Sequence, residues 1–513
     1  MVLAGLIAYA LIVVLMTLLY RLPGFLACIA LAGQVAATLA FVSGYFPVFE
    51  SFTLTLPGIA GIILAIGMGV DANVITAERI KEELNNGKSL DGALKSGFAR
   101  GLTPIIDGNV TIVIVAIVLM GAFGPSDGLF AKALHFVFFA FGPSTAGTIY
   151  AFGYTLLTGV LLNFVFGVFA TRVMIRGAAS IKALRNPWLY GAAKPGKEVK
   201  EKKPIDFVGL RKRFLTISTC LMAAIILCAA VFGVRLDTEF TGGAMITLSY
   251  QGEISTSEVQ KTASTALENN GLTLQTGENV ATGEQTLKIS MPGNETVTTD
   301  QVENLLTSLN EQYPDNAFAQ LSLSNVSAAM GTKFLQKSLV AVVFSLLLIL
   351  LYIGFRFKKI GGLTGGLMAV LALLNDLMVV FGTFVLLHTP LDGNFIAAML
   401  TILGYSINDT VVVYDRIREN RALMGKKTPF EELVNHSVNQ SARRTIITTV
   451  TTVMALGVMC VVSKLYGLDS IFTFAFPLMM GMLSGVYTSL CVSTSAWVLW
   501  NDRKSKKAET KKA

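Results

Sequence analysis

The sequence predicts a polytopic α-helical membrane protein, with about 11 transmembrane helices in two pseudo-symmetric halves and one small α+β domain outside the membrane. Three observations carry this. The 513 residues are 53% hydrophobic and only 14% charged, with mean hydropathy +0.62, whereas a soluble domain carries about 25% charged residues. Apolar runs long enough to cross about 30 Å of hydrocarbon recur from end to end. One motif occurs twice, as GMGVDANVITAERIKE at 67–82 and GYSINDTVVVYDRIRE at 404–419.

The apolar runs fall at 3–20, 23–41, 54–74, 106–123, 149–174, 215–234, 338–353, 365–387, 395–414, 445–462 and 471–500. Basic clusters assign their sides. Arg79, Lys81, Lys88, Lys95 and Arg100 share one loop, Arg356, Lys358 and Lys359 another, and Arg416, Arg418, Arg421, Lys426, Lys427 and Arg443 a third. These loops and the carboxy-terminal tail are expected in the cytoplasm; the connections 43–53 and 389–394, free of Lys and Arg, are expected outside. The resulting order is a first membrane half at 1–175, a basic cytoplasmic linker at 176–213, a helix at 214–235, an external domain at 236–330, further membrane helices at 331–500 and a basic tail at 501–513.

The repeat aligns Gly67 with Gly404, Val74 with Val411, Arg79 with Arg416 and Ile80 with Ile417, while the intramembrane acid slips by one place, from Asp71 to Asp409. Two halves built alike place functional groups where they meet. A carboxylate inside a span costs about 2.5–3.5 kcal/mol on insertion scales, so it faces a bundle interior or wet cavity. The alternative for Asp409 is a side chain that reaches the interface, beside Asp415 and Arg416.

Asp107 and Asn109 open the run after the first acidic motif, where Asp107 reads either as an acid entering the bundle or as a helix-start acid matched to the dipole. The stretch 125–146 is an insertion whose apolar part, 129–141, is too short to span and is expected either to lie in the interface or to dip in and out. Residues 236–330 read strand, helix, strand, strand, helix, strand, a ferredoxin-like βαββαβ order, with capping boxes at Ser255/Glu258 and Thr298/Gln301. Arg444 and the threonines at 445, 448, 449, 451 and 452 open a late span; they suit either hydrogen-bonded partners or bonds to their own helix backbone.

The five cysteines sit in apolar runs without a pairing pattern, and the three histidines are scattered, so no disulfide framework or metal site is expected. The sequence shows no exposed catalytic constellation and asks for no cofactor, and the net charge of +8 belongs to membrane orientation rather than to nucleic acid.

The segments 54–61 (LTLPGIAG) and 67–80 resemble SecD, and 237–243 (DTEFTGG) with 404–419 resembles SecF. Together they resemble a fused SecDF, a bacterial protein-export factor related to the RND transporters, with SecD's usual first span and first large external domain expected to be missing. The resemblance implies an ion-coupling centre of Asp71, Asp409 and Arg444, with Asn73, Asp107, Asn109, Asn408, Thr445 and Thr448 as supporting polar residues. It further implies a bacterial plasma-membrane accessory, not an enzyme, that uses the proton or sodium motive force to promote late preprotein translocation. Its partners would be the SecYEG channel and unfolded preproteins, with YajC and YidC as further candidates. The rival readings are an RND-type exporter of small molecules or lipids and a non-transporting Sec scaffold.

Overall fold

Arg21 decides how the chain enters the bundle. In the computed structural model, which describes residues 2–43, 45, 56–142, 147–193, 204–252, 254–269, 271–278, 284–293, 296–425 and 427–510, the first stretch forms one long helix, α1 (Val2–Val42). At Arg21 its backbone turns to φ 53°, a region that a non-glycine residue occupies only where its surroundings hold it. The guanidinium donates to the carbonyls of Trp188 and Ala192 and lies 4.1 Å over the Trp188 ring. The chain folds back on itself there, and Tyr9 Oη donates to the Cys28 carbonyl at 2.8 Å. The two arms of this hairpin are the first two apolar runs.

Ten helices among the described residues are long and apolar enough to cross a membrane. After α1 come α2 (Leu56–Asn85) and α3 (Leu90–Phe123), then the short α4 (Leu129–Ala133) and α5 (His135–Phe138). The insertion is thus partly helical and packs inward, with Phe138 buried and edge-on to Phe344 at 6.4 Å; residues 143–146 lie outside the described residues. Helix α6 (Gly147–Asn163) passes through a π-helical segment, Phe164–Ala170, into α7 (Thr171–Ser180), so the helix runs beyond 175, where the first half was expected to end. The second half opens with α8 (Arg211–Phe232).

A one-turn helix, α9 (Thr238–Thr241), leads into the α+β domain: β1 (Gly243–Tyr250), α10 (Thr256–Ala266), β2 (Thr273–Glu278), β3 (Gln285–Pro292), α11 (Thr299–Gln312) and β4 (Ala319–Val326). The strands pair antiparallel in the order β2-β3-β1-β4, with Ile246 opposite Ile289 on one side and Leu323 on the other. This is the ferredoxin-like arrangement. Ala244, Ile246 and Leu248 alternate onto the buried face, and Val302, Leu305 and Leu309 meet them at helical spacing. Thr298 and Gln301 form the expected capping box. The one expected at Ser255 does not form, because Glu258 accepts instead from Tyr313 Oη at 2.9 Å.

The remaining helices are α12 (Ala328–Arg356), α13 (Gly362–Leu386), α14 (Gly393–Met424), α15 (Phe430–Leu465) and α16 (Asp469–Tyr487), which continues through a π-helical segment, Thr488–Ser493, into α17 (Thr494–Thr510). Helices α2, α3, α14 and α15 pack together at the centre, where the two halves meet. Helix α14 is the most enclosed of the ten, and its repeat motif lies wholly inside the bundle from Gly404 to Asp415.

Candidate functional site: a buried ion pair between the halves

Asp71 lies on α2 and Arg444 on α15, both nearly sealed from solvent, and Arg444 Nη2 donates to Asp71 Oδ1 at 2.9 Å. The other carboxylate oxygen accepts from Asn408 Nδ2 on α14 at 2.7 Å. In the repeat, Asn408 stands where Asp71 stands in the first half. The two equivalent positions therefore touch, and the amide gives a donor where a second carboxylate would repel. Gly108 on α3 makes the room: a Cβ there would lie 1.7 Å from Asn408 Oδ1.

The one-place slip rotates Asp409 by about 100° around α14. It is buried, and Asp71, Arg444 and Asp376 are the charged groups around it. Among the described residues Arg444 pairs with Asp71 and not with Asp409. Arg444 Nε and Nη1 are buried and have no hydrogen-bond partner among those residues. A guanidinium has five donors in a planar fork, so Arg444 keeps capacity for a second carboxylate. Its neighbour Arg443 sits at the rim, 3.6 Å from Glu78.

The supporting residues divide. Asn73 donates to the Gly69 carbonyl of its own helix at 2.7 Å, and Thr448 likewise bonds back to Thr445, so these two support helix backbone rather than the ion pair. The Thr445 hydroxyl and Asn109 Nδ2 are buried without partners among the described residues. Asp107 lies in mid-helix, which removes the helix-start reading. It accepts from Arg356 Nε at 2.8 Å and Tyr352 Oη at 3.2 Å, both on α12 of the other half.

A cavity of about 350 Å³ at the charged end of the bundle is lined by Glu78, Arg79, Glu82, Arg416, Arg443 and Arg444. The repeat closes on itself beside it. Arg79 pairs with Glu82 at 3.2 Å and Glu419 at 2.8 Å, and Arg416 pairs with Glu419 at 2.9 Å and Glu82 at 2.8 Å.

A second charged cluster, two of whose acids, Asp237 and Glu239, lie in the DTEFTGG segment, joins the α+β domain to the bundle. Asp237 caps α9 and accepts from Lys288 Nζ on β3 at 3.4 Å. Glu239 Oε2 accepts from the Gly393 amide at 2.7 Å, the first residue of α14, and Asp392 caps the same helix. Burial, with the Glu239 and Asp237 charges adding to it and Lys288 opposing, pushes the Asp392 carboxyl up to about 7. Burial works against the Lys288 charge, but these acids outweigh it and hold the ammonium at about 12. Lys288→Gln is expected to weaken the docking of the domain by about 2 kcal/mol, less than a fully buried pair because the lysine is partly exposed. Hydrogen exchange should then rise at Asp237–Thr241 and Leu391–Phe395 with the sheet still protected; unchanged exchange at both segments would show that the cluster does not hold the domain.

The family model described as "Protein export membrane protein SecD/SecF, C-terminal" matches residues 1–151 and 305–503, covering α1 to α5 with the start of α6, and the later part of α11 through β4 and α12 to α16 into α17. The SecDF protein translocase subunit of Bacillus subtilis is 31% identical over 518 residues, covering 99% of this chain and 64% of its own length. The SecF subunit of Alicyclobacillus acidocaldarius is 31% identical over 60% of this chain and 96% of its own. The crystal structure of SecDF from Thermus thermophilus, a translocon-associated membrane protein, superposes with a TM-score of 0.77 at 28% identity, covering 98% of this chain and 62% of that one. This chain therefore spans less than two thirds of its fused relatives. With its paired halves, its α+β domain and the acidic motif in each half, the chain belongs to the SecD/SecF family of protein export membrane proteins.

Proposed function

We propose that this protein uses a transmembrane ion gradient to promote the late, outward stage of protein export, as an accessory of the Sec channel. The buried Asp71–Arg444 pair, bridged by Asn408 at the seam between the halves, carries the reading. An ion pair replaced by apolar residues is often no less stable, so a structural role alone gives it little reason to lie inside a membrane.

Asp71, Asp409 and Arg444 act as the coupling centre. With Asp71 ionised, Arg444 is held on α2. A proton arriving through the charged cavity and loading Asp71 releases the guanidinium, whose free nitrogens then take Asp409 on α14. Helix α14 ends at Gly393, bonded to Glu239, so a shift of α14 reaches the α+β domain outside the membrane. One charge moved through 100 mV supplies about 2.3 kcal/mol, a bias of roughly 50-fold on a two-state rearrangement. The basic clusters favour a cytoplasmic side for the charged cavity and the carboxy terminus. An unfolded preprotein leaving the SecYEG channel is the load, with YajC and YidC as further partners.

The test is the rate of late, ATP-independent translocation of a preprotein in vesicles carrying an imposed proton or sodium gradient. Asp409→Asn is expected to reduce the gradient-dependent part to the rate seen without a gradient. Equal stimulation by the wild type and Asp409→Asn would sink ion coupling through this centre and leave the scaffold reading.

A further inference from the structure

A further carboxylate lies in the membrane region, away from Arg444. Asp376, on α13, is fully buried, and the chain wraps it in hydroxyls. Its Oδ2 accepts from Ser406 Oγ at 2.6 Å and Thr488 Oγ1 at 2.9 Å, and its Oδ1 from Ser484 Oγ at 2.6 Å and the same Thr488 hydroxyl at 3.0 Å. Three donors from α14, α16 and the π-helical segment thus converge on one group.

No Lys, Arg or His forms an ion pair with Asp376 among the described residues. Around it, α8 offers Ser218, which donates to the neighbouring Asn375 at 2.9 Å, α12 meets α13 through Leu350 and Ile353, and α17 meets it through Trp497. Tyr487 on α16 is turned away and donates to the Phe214 carbonyl at 2.6 Å. From α14 the charged neighbour is Asp409, itself an acid. A negative charge so placed lacks the counter-cation that buried charges require, and hydroxyl donors relieve only part of that cost. The hydroxyls lie directly on the carboxylate oxygens. The group that fits is a proton.

Further hydroxyls line the same face of α14. Ser406, Thr410 and Tyr414 recur every fourth residue on α14; Thr410 Oγ1 meets Ser489 Oγ at 2.8 Å, and Tyr414 Oη meets Ser493 Oγ at 2.6 Å and the Gly365 carbonyl at 2.9 Å. The π-helical turn, a distortion found mostly at functional positions, puts Thr488 on Asp376 and Ser489 on Thr410 side by side. We propose that Asp376 is a second proton-binding site of this protein, confined to the second half and reached along this hydroxyl column. It binds one proton without Arg444. Ser406 stands three residues before Asp409 on α14, so occupancy of one site is felt at the other.

The site's existence does not depend on the export reading, and neither does its test. Difference infrared spectroscopy of the purified protein in lipid, stepped in pH, reads the C=O stretch of a protonated carboxylic acid. In Asp71→Asn/Asp409→Asn a band from Asp376 is expected to remain beside that of Asp392 at the outer end of α14. The former should vanish on adding Asp376→Asn, and shift in frequency but persist with Asp376→Glu, which keeps the carboxyl. A spectrum that Asp376→Asn leaves unchanged in the double variant, with its circular dichroism intact, overturns the proposal.

Discussion

Asp71→Asn is expected to lower the stability of the membrane bundle by about 3–5 kcal/mol and to abolish gradient-driven export. The stability loss follows from what remains: among the described residues Arg444 already has two buried nitrogens without partners, and the variant removes its one carboxylate there. Asn408 loses an anionic acceptor at the same time. Thermal unfolding in lipid nanodiscs reads the first effect, and the vesicle assay the second. Adding Arg444→Gln should recover most of the stability, since neither charge is then buried alone, and recover no export. Should Asp71→Asn unfold like the wild type, Arg444 must hold a different counter-charge, and the coupling scheme fails at its first step.

Gly108→Ala is the smallest change with a comparable reach. Its methyl would lie 1.7 Å from Asn408 Oδ1 and 2.8 Å from Cγ, so the amide has to leave Asp71. Overpacking of this kind costs about 1–3 kcal/mol, and a hydrogen bond to a charged group contributes about 1.5–3 kcal/mol. The expected result is a bundle destabilised by about 2.5–6 kcal/mol whose export rate falls by at least about tenfold, since one unpaired oxygen of Asp71 changes when that acid takes a proton. Asn408→Ala added to it should relieve the clash without restoring export. Full activity in Gly108→Ala would mean that Asn408 plays no part in setting the carboxylate.

What the residues disclosed in advance followed from pattern. The doubled motif announced that functional groups would gather where the halves meet, and it marked Arg79 and Arg416 as counterparts. The strands of the α+β domain declared themselves by alternation, ending within a residue or two of the observed limits. Two of the apolar runs became arms of one hairpin because Arg21 has partners at Trp188 and Ala192, which no local pattern contains. The same distance hid the partners of Asp107. Asp376 went unnoticed for a different reason: a single acid in a run of leucines and valines carries no motif, and its three hydroxyl donors come from helices α14 and α16 and the turn after them. The threonines of α15 were ambiguous because a helical hydroxyl can always return to its own backbone, and Thr448, Thr451 and Thr452 do so.

The four-charge ring of Arg79, Glu82, Arg416 and Glu419 reads the same when the two halves are exchanged, because each arginine holds its own helix's glutamate and the other's. That is the contact pattern of an isologous dimer, in which one patch recognises a copy of itself. The covalent chain thus retains the seam of a two-fold assembly. A substitution in one arginine breaks bonds on both sides of the axis, whereas matched substitutions at symmetry-related positions preserve the balance of the ring.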